Sequence, residues 1–193
     1  MNNMSIILAS ASPRRRDLLE NLGVANLVIK PAHGEEHAPE GASAEEAVIA
    51  ISRGKALEAA EQCAPGDVII AADTVVCLDG DILGKPHGEA EAREMLRRLS
   101  GREHEVYTGV TVMRGGDVLC GAERTLVRFR PLTADEIDAY VATGEPMDKA
   151  GAYGAQGKGS LFVEGISGDF FNVMGLPVCR LGLMLNELGV SLL

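Results

Sequence analysis

The segment Leu8–Arg16, which reads LASASPRRR, narrows the choice of fold more than any other stretch of this chain. It overlaps the apolar run Ser5–Ala9, which is typical of a short buried strand. Ser12 is a preferred residue type at a helix N-cap, and Pro13 is well tolerated at the first helical position. The pattern therefore predicts a strand followed closely by a helix that ends before Gly23.

Three consecutive arginines, Arg14 to Arg16, lie in the first turn of this predicted helix. A helix N-terminus has unpaired backbone N–H groups and a partial positive charge. Cations placed there are unfavourable unless a bound anion compensates their charge. Successive side chains point about 100° apart around a helix, so at most two of the arginines can face one ligand. We expect these to be Arg14 and Arg15, bound to phosphate. The alternative is that the arginines are only solvated.

Charge and composition limit the classes of partner. The 193 residues carry a formal net charge of -10, which disfavours nonspecific binding to nucleic acid or to an anionic membrane surface. Only 4% of the residues are aromatic, so few side chains can stack on bases. The sequence shows no long apolar span and no secretory signal. We expect residues 1–193 to form a single domain, or two lobes that share a core, in the cytoplasm.

Cysteine and histidine spacing gives no sign of a zinc site. The four cysteines are far apart and form no C-x-x-C pair, so they are interpreted as reduced thiols in the core. His33 and His37 lie in an acidic loop and are expected to be solvated.

Helical and strand patterns alternate along the chain, and two glycine-containing turns interrupt the alternation with hairpins. The sequence therefore predicts an α/β fold with a mixed sheet flanked by helices. Capping boxes at Ser43 and Thr133 mark two of the helix starts. The other predicted elements are strands at Asp67–Ala72, Val75–Leu78, Asp81–Leu83, Glu105–Met113 and Val118–Phe129, and helices at Glu89–Leu99 and Pro177–Leu188.

Polar residues gather where the predicted elements end. Asp73 and Thr74 close a buried strand, Lys85 follows a hairpin, and Tyr107–Gly109 interrupts a strand pattern. The stretch Ala150–Gly159 contains four glycines, which allow close approach of the backbone to a ligand. Ligands bind at strand ends in α/β sheets, so the pattern predicts a binding cleft. Each Gly-Lys pair alone is also typical of an ordinary turn. Neither of the common glycine-rich phosphate-binding motifs is present.

Six motifs in order give the chain a resemblance to a known family. LASASPRRR, AADTVV, GKP, YTG, GEPMDKAGAYGAQG and GDFFNVMGLP look like the motif set of the Maf family of nucleoside triphosphate pyrophosphatases, from Leu8 to Pro177. The resemblance implies a fold related to the inosine triphosphate pyrophosphatases, with a twisted mixed sheet and a deep cleft between two lobes. It also implies hydrolysis of a nucleoside triphosphate to the monophosphate and pyrophosphate, assisted by a divalent cation, Mg²⁺ or Mn²⁺.

The resemblance also implies roles for individual residues. Asp73 matches the family's proton acceptor, and Glu36 with Asp73 matches the expected metal ligands. The chain has His33–Glu36 (HGEE) where the family usually has Asp-x-Asp-Glu, so either Glu35 or Glu36 could serve. The DKAGAYG wording followed by Gln is similar to the branch that acts on dTTP and UTP. The matching substrate-binding positions are Ser10, Arg14, Arg15, Lys55, Thr74, Lys85 and Gln156.

Several alternatives remain open at this point. Asp73 could accept a proton from water, orient that water or bind the cation, and it could also be a simple turn carboxylate. Gln156 has an amide donor and a carbonyl acceptor, which suits uracil and thymine. The other function classes are hydrolysis of 7-methyl-GTP or another modified nucleotide, and a non-catalytic regulator that senses nucleotides. Short exposed strands would permit a homodimer.

Overall fold

In the computed structural model, which describes residues 4–193, strands and helices alternate along the chain. Three short 3₁₀ turns lie between the fourth helix and the last strand. The elements are β1 (Ile6–Leu8), α1 (Pro13–Asn21), β2 (Leu27–Ile29), α2 (Ala44–Ala60), β3 (Val68–Leu78), β4 (Asp81–Leu83), α3 (Glu89–Leu99), β5 (Glu103–Arg114), β6 (Asp117–Phe129), α4 (Ala134–Val141), β7 (Val163–Ser167), α5 (Phe170–Met174) and α6 (Val178–Glu187).

The seven strands form one mixed sheet, which confirms the predicted α/β class. The strand order is β2-β1-β3-β5-β6-β7, and β4 pairs with β3 outside this order. Strand β1 is parallel to both β2 and β3, whereas β4 is antiparallel to β3 and β7 is antiparallel to β6. The β3–β4 turn has positive φ at Asp79 and Gly80, as expected of a tight hairpin turn.

The chain divides into two compact units. The first unit consists of residues 4–73, Thr108–Glu123 and Gly175–Leu193. Small and branched side chains from α2 and the neighbouring strands form part of its core. Gly109 of β5 has no room for a side chain, because an added Cβ would lie 2.2 Å from the carbonyl oxygen of Val48 in α2. This glycine therefore allows close approach of α2 to β5.

The second unit consists of Thr74–Tyr107 and Arg124–Met174. Aromatic rings form part of its core in edge-to-face contacts. The Phe129 ring centroid lies 4.7 Å from that of Tyr153 and 5.0 Å from that of His104, and Tyr140 and Phe162 are 4.9 Å apart. Along the end of β6 the buried residues alternate with more exposed ones, as expected of a strand with one face towards solvent.

Two predicted breaks in strands are wrong. Asp73 does not end a strand, because β3 continues through it to Leu78. Tyr107–Gly109 does not interrupt a strand either, since β5 is continuous there. Asp73 is tolerated inside β3 because Lys55 pairs with it, and Gly109 inside β5 serves helix packing.

The helix starts are closer to prediction. The capping boxes at Ser43 and Thr133 are both present. Helix α1 begins at Pro13 as predicted, but the Ser12 side chain makes no cap hydrogen bond.

The cysteines are free thiols, as predicted, but they are not all in the core. Cys77 is buried and Cys63 half-buried, whereas Cys120 and Cys179 are exposed. Apolar neighbours in sequence do not imply burial, because successive side chains point in different directions around a helix and to opposite faces of a strand. No helix within residues 4–193 is long and apolar enough to cross a membrane.

Candidate active site

Ser10 and Arg15 connect the end of β1 to the first turn of α1. Ser10 is buried, and its Oγ accepts hydrogen bonds from Arg15 Nη1 at 3.0 Å and from the backbone N–H of Ser12 at 3.2 Å. Arg15 Nε donates to the carbonyl oxygen of Gly175 at 2.7 Å. The guanidinium is therefore held in a fixed orientation by both a loop and the segment before α6.

The three arginines of α1 differ in their environment. Arg15 is buried, Arg14 is half-buried and Arg16 is exposed, where it pairs with Glu20 at 2.7 Å. Burial lowers the pKa of Arg15, the negative charge of Asp73 opposes this shift, and the positive charge of Arg14 adds to it. Arginine still remains protonated at neutral pH. The structure therefore separates Arg16 from Arg14 and Arg15, and the binding of one ligand by Arg14 and Arg15 stays a prediction.

Lys55 of α2 brings together two carboxylates. Its Nζ lies 2.8 Å from Asp73 Oδ1 in β3 and 2.7 Å from Glu36 Oε1 in the loop before α2. The side chains of Lys55 and Asp73 are only 16% and 12% exposed, so their ion pair is largely removed from water. Removing one partner of such a pair is costly, because the other charge is left without compensation in a largely buried position.

Glu58, one helical turn after Lys55, holds the acidic loop. Its carboxylate accepts hydrogen bonds from the backbone N–H groups of His33 at 2.7 Å and Gly34 at 3.0 Å. These two hydrogen bonds lower the pKa of Glu58. Residues Lys55 and Glu58 therefore both fix the loop that carries Glu36, one through a side chain and the other through backbone groups.

A divalent cation fits the chemistry of this cluster. Within residues 4–193 no group of three or more His, Cys, Asp or Glu residues is arranged to hold a metal ion. Glu36 and Asp73 nevertheless place carboxylate oxygens around one cationic nitrogen, that of Lys55. Mg²⁺ is commonly bound by one or two carboxylates that act together with substrate phosphates, so two carboxylates are a sufficient protein contribution.

The remaining predicted substrate residues belong to the second unit. Thr74 follows Asp73 in β3 and is half-buried, Lys85 is exposed after β4, and Gln156 is exposed between two 3₁₀ turns. Their role in substrate binding stays a prediction. Glu35 is also exposed and lies 3.4 Å from His37 Nε2, so the contact with Lys55 distinguishes Glu36 from it.

Sequence reasoning missed two contacts. Lys55 was assigned to phosphate, yet it also bridges Glu36 and Asp73. Glu145 was present only as a letter of the motif GEPMDKAGAYGAQG, yet its carboxylate accepts hydrogen bonds from the backbone of Lys158 and Gly159. Helical spacing places Lys55 and Glu58 on neighbouring positions of one face and could have suggested a common target. No comparable signal shows that Glu145 contacts residues that come 13 and 14 positions later.

The fold and the polar cluster define an α/β protein in which a lysine of α2 pairs with a carboxylate inside β3 and with another in the loop before α2. A solved structure of a HAM1 protein from Coxiella burnetii is similar over 96% of this chain and 100% of that one, with a TM-score of 0.52 and 16% sequence identity. This likeness supports the fold that the sequence predicts.

Sequence comparison then identifies the family. The chain matches the family described as Maf-like protein over residues 5–188, and it belongs to the Maf family. It is 48% identical over 184 residues to a dTTP/UTP pyrophosphatase of Symbiobacterium thermophilum, across 95% of this chain and 94% of the relative. It is 50% identical over 190 residues to a dTTP/UTP pyrophosphatase of Dictyoglomus thermophilum, across 97% and 98%.

Proposed function

We propose that the protein hydrolyses nucleoside triphosphates, with dTTP and UTP preferred, to the nucleoside monophosphate and pyrophosphate. The observation that carries this proposal is the similarity, over nearly the whole chain, to curated relatives that are named dTTP/UTP pyrophosphatase. Gln156 supports the choice of base, because one amide group supplies the donor and the acceptor that uracil and thymine require. A polar site of this kind rejects bases that leave its groups unpaired.

Asp73 is the residue that acts on the attacking water. Hydrolysis at the α-phosphorus needs an oriented water and compensation of the charge that develops on pyrophosphate. The contact with Lys55 fixes the Asp73 carboxylate, which accepts the proton of the water or binds a cation. Arg14, Arg15 and Lys55 supply positive charge for the phosphates.

Glu36 and Asp73 would hold the divalent cation, Mg²⁺ or Mn²⁺. When bound, this cation would neutralise charge on the phosphate oxygens. Ser10 keeps the Arg15 guanidinium in place. We keep Thr74, Lys85 and Gln156 as substrate-binding residues, and we place the reaction in the cytoplasm, where nucleotide pools are found.

A side-by-side assay of nucleotides tests the proposal. Pyrophosphate release is measured for dTTP, UTP, the purine triphosphates and 7-methyl-GTP in the presence of Mg²⁺ or Mn²⁺. We expect dTTP and UTP to be cleaved fastest. Faster cleavage of 7-methyl-GTP would contradict the choice of substrate, and tight nucleotide binding in excess Mg²⁺ without pyrophosphate release would favour a nucleotide-sensing regulator.

A further inference from the structure

Glu145 is a carboxylate of the second unit that the proposed reaction does not use. It begins the 3₁₀ turn Glu145–Asp148 and is half-buried. The carboxylate accepts hydrogen bonds from the Tyr140 hydroxyl at 2.9 Å and from the backbone N–H groups of Lys158 at 3.0 Å and Gly159 at 3.2 Å. Burial opposes ionisation, but these three donors outweigh it and lower the pKa of Glu145.

Tyr140 of α4 holds the first residue of the segment Gly154–Gly159, whose last two residues bind Glu145. Its hydroxyl oxygen accepts a hydrogen bond from the backbone N–H of Gly154 at 3.1 Å while it donates to Glu145. One tyrosine and one glutamate therefore fix backbone groups at both ends of Gly154–Gly159. Gln156 lies in the middle of this segment and its side chain is exposed.

The glycines of this segment are fitted closely to the two side chains. A Cβ at Gly157 would lie 2.4 Å from Glu145 Oε1, and a Cβ at Gly159 would lie 2.7 Å from the Tyr140 hydroxyl oxygen. Lys149 adds a further tie, because its Nζ donates to the carbonyl oxygen of Glu145 at 2.7 Å. Gly157 thus lies directly against the Glu145 carboxylate and Gly159 against the Tyr140 hydroxyl, so neither position has room for a side chain.

We propose that Glu145 is a positioning residue that sets base selectivity, because it fixes the backbone after Gln156 directly and the backbone before Gln156 through Tyr140. The inference rests on the proposed function, in which Gln156 contacts the base. A hydrogen-bonding side chain selects between bases only when the orientation of its donor and acceptor is fixed. A mobile amide can rotate to match the donors and acceptors of several bases. Glu145 acts through the backbone of Gly154–Gly159 and touches neither the phosphates nor the attacking water.

The test replaces Glu145 with glutamine, which keeps the size of the side chain but turns one acceptor oxygen into a donor group. We expect Glu145→Gln to lower the ratio of kcat/KM for dTTP to that for GTP by about tenfold, through a higher KM for dTTP, with kcat changed less than about threefold. Tyr140→Phe, which removes only the hydroxyl, is expected to act in the same direction. Glu164→Gln is the control, because Glu164 is an exposed carboxylate of the same unit that pairs with Arg128.

Hydrogen–deuterium exchange provides a second measurement that does not depend on activity. We expect the amides of Gly154, Lys158 and Gly159 to exchange faster in Glu145→Gln, while those of α3 keep the wild-type rate and so report an intact unit. If the wild type is active and Glu145→Gln keeps its selectivity, the inference is overturned and the proposed function stands. If the wild type cleaves no triphosphate, the proposed function and the selectivity role fail together. If the exchange rates of these amides are unchanged in Glu145→Gln, the positioning role is overturned.

Discussion

Lys55 joins two carboxylates from separate parts of the first unit, Glu36 in a loop and Asp73 in β3. At neutral pH these carboxylates would repel each other without a cation between them. The lysine therefore keeps the two carboxylates together. Glu36 is more exposed than Asp73, so it is the more adaptable partner, whereas Asp73 is fixed by the sheet.

Replacing Asp73 with asparagine tests its role in turnover. The substitution keeps the shape and a hydrogen-bond acceptor for Lys55 but removes the base and the charge. We expect pyrophosphate release from dTTP to fall by at least about 100-fold, while calorimetry still detects dTTP binding. Asp117→Asn changes an exposed residue of the same unit and serves as the control. Wild-type turnover in Asp73→Asn would remove this residue from the mechanism.

Replacing Lys55 with methionine tests whether the bridge matters. The variant leaves Glu36 and Asp73 without their shared cation and removes a positive charge from the proposed phosphate site. We expect kcat/KM for dTTP to fall by at least about 100-fold. Lys30→Met is the control, because the Lys30 side chain donates to the carbonyl oxygen of Gln62 and to Cys63. Wild-type kcat/KM in Lys55→Met would show that the bridge does not matter for turnover.

At the scale of elements, close packing of α2 against β5 depends on one glycine. Because Gly109 has no side chain, the backbone of α2 comes closer to β5 than a Cβ atom at this position would allow. Because α2 carries Lys55, this packing also sets how the lysine is presented to Asp73 of β3. A glycine that the sequence suggested as a ligand site is in fact required by packing.

Gly109→Ala is expected to be strongly destabilising. The new Cβ would meet the backbone of Val48 and Ile49, which cannot move aside as a flexible side chain can. We expect urea denaturation to show a loss of about 3 kcal/mol in the free energy of unfolding.

Gly54→Ala, in the helix that packs against Gly109, is the matched control. Apart from its own helix backbone, no atom of the described residues lies within 4 Å of the added Cβ, so the change should stabilise the protein by about 1 kcal/mol through helix propensity. Equal stability of the two variants would contradict the packing argument.

At the scale of the whole molecule, a buried histidine makes stability depend on pH. His104 is 2% exposed, its Nε2 lies 2.8 Å from the Tyr153 hydroxyl, and its Nδ1 has no hydrogen-bond partner among residues 4–193. Burial lowers the pKa of His104 to about 4 from its ordinary 6.5. The folded protein therefore keeps this imidazole neutral while the unfolded chain binds a proton.

The sign of the effect follows from these two values. Above pH 6.5 neither state holds the proton, so His104 adds no pH dependence. As the pH falls from 6.5 towards 4, the unfolded chain binds a proton that the folded protein does not, and stability decreases by about 3 kcal/mol in total. Urea denaturation at a series of pH values measures this decrease.

The matching variant is His104→Gln, which retains a partner for Tyr153 but does not titrate. We expect it to be less stable than the wild type at pH 7 and to lose much of the slope between pH 6.5 and 4. His37→Gln, at an exposed position, should keep the wild-type slope. If His104→Gln keeps the slope, other groups cause the acid sensitivity.

Local signals in the sequence determined the parts of the fold that depend on neighbouring residues. The capping boxes at Ser43 and Thr133 and the turn at Asp79–Gly80 are present where they were predicted, since each is formed within a few residues. Asp73 was likewise identified as a candidate catalytic residue, through its motif. The sequence also identified the family and the class of fold.

Only the tertiary structure decided which distant groups meet. Asp73 lies within a continuous strand because Lys55, 18 residues earlier, satisfies its charge. Gly109 belongs to a packing contact with Val48, and Glu145 is bound to the backbone of Lys158 and Gly159. Strands and helices can be predicted because apolar residues repeat with the period at which side chains return to one face of each element. These contacts depend instead on how the elements pack, so no local pattern of residues encodes them.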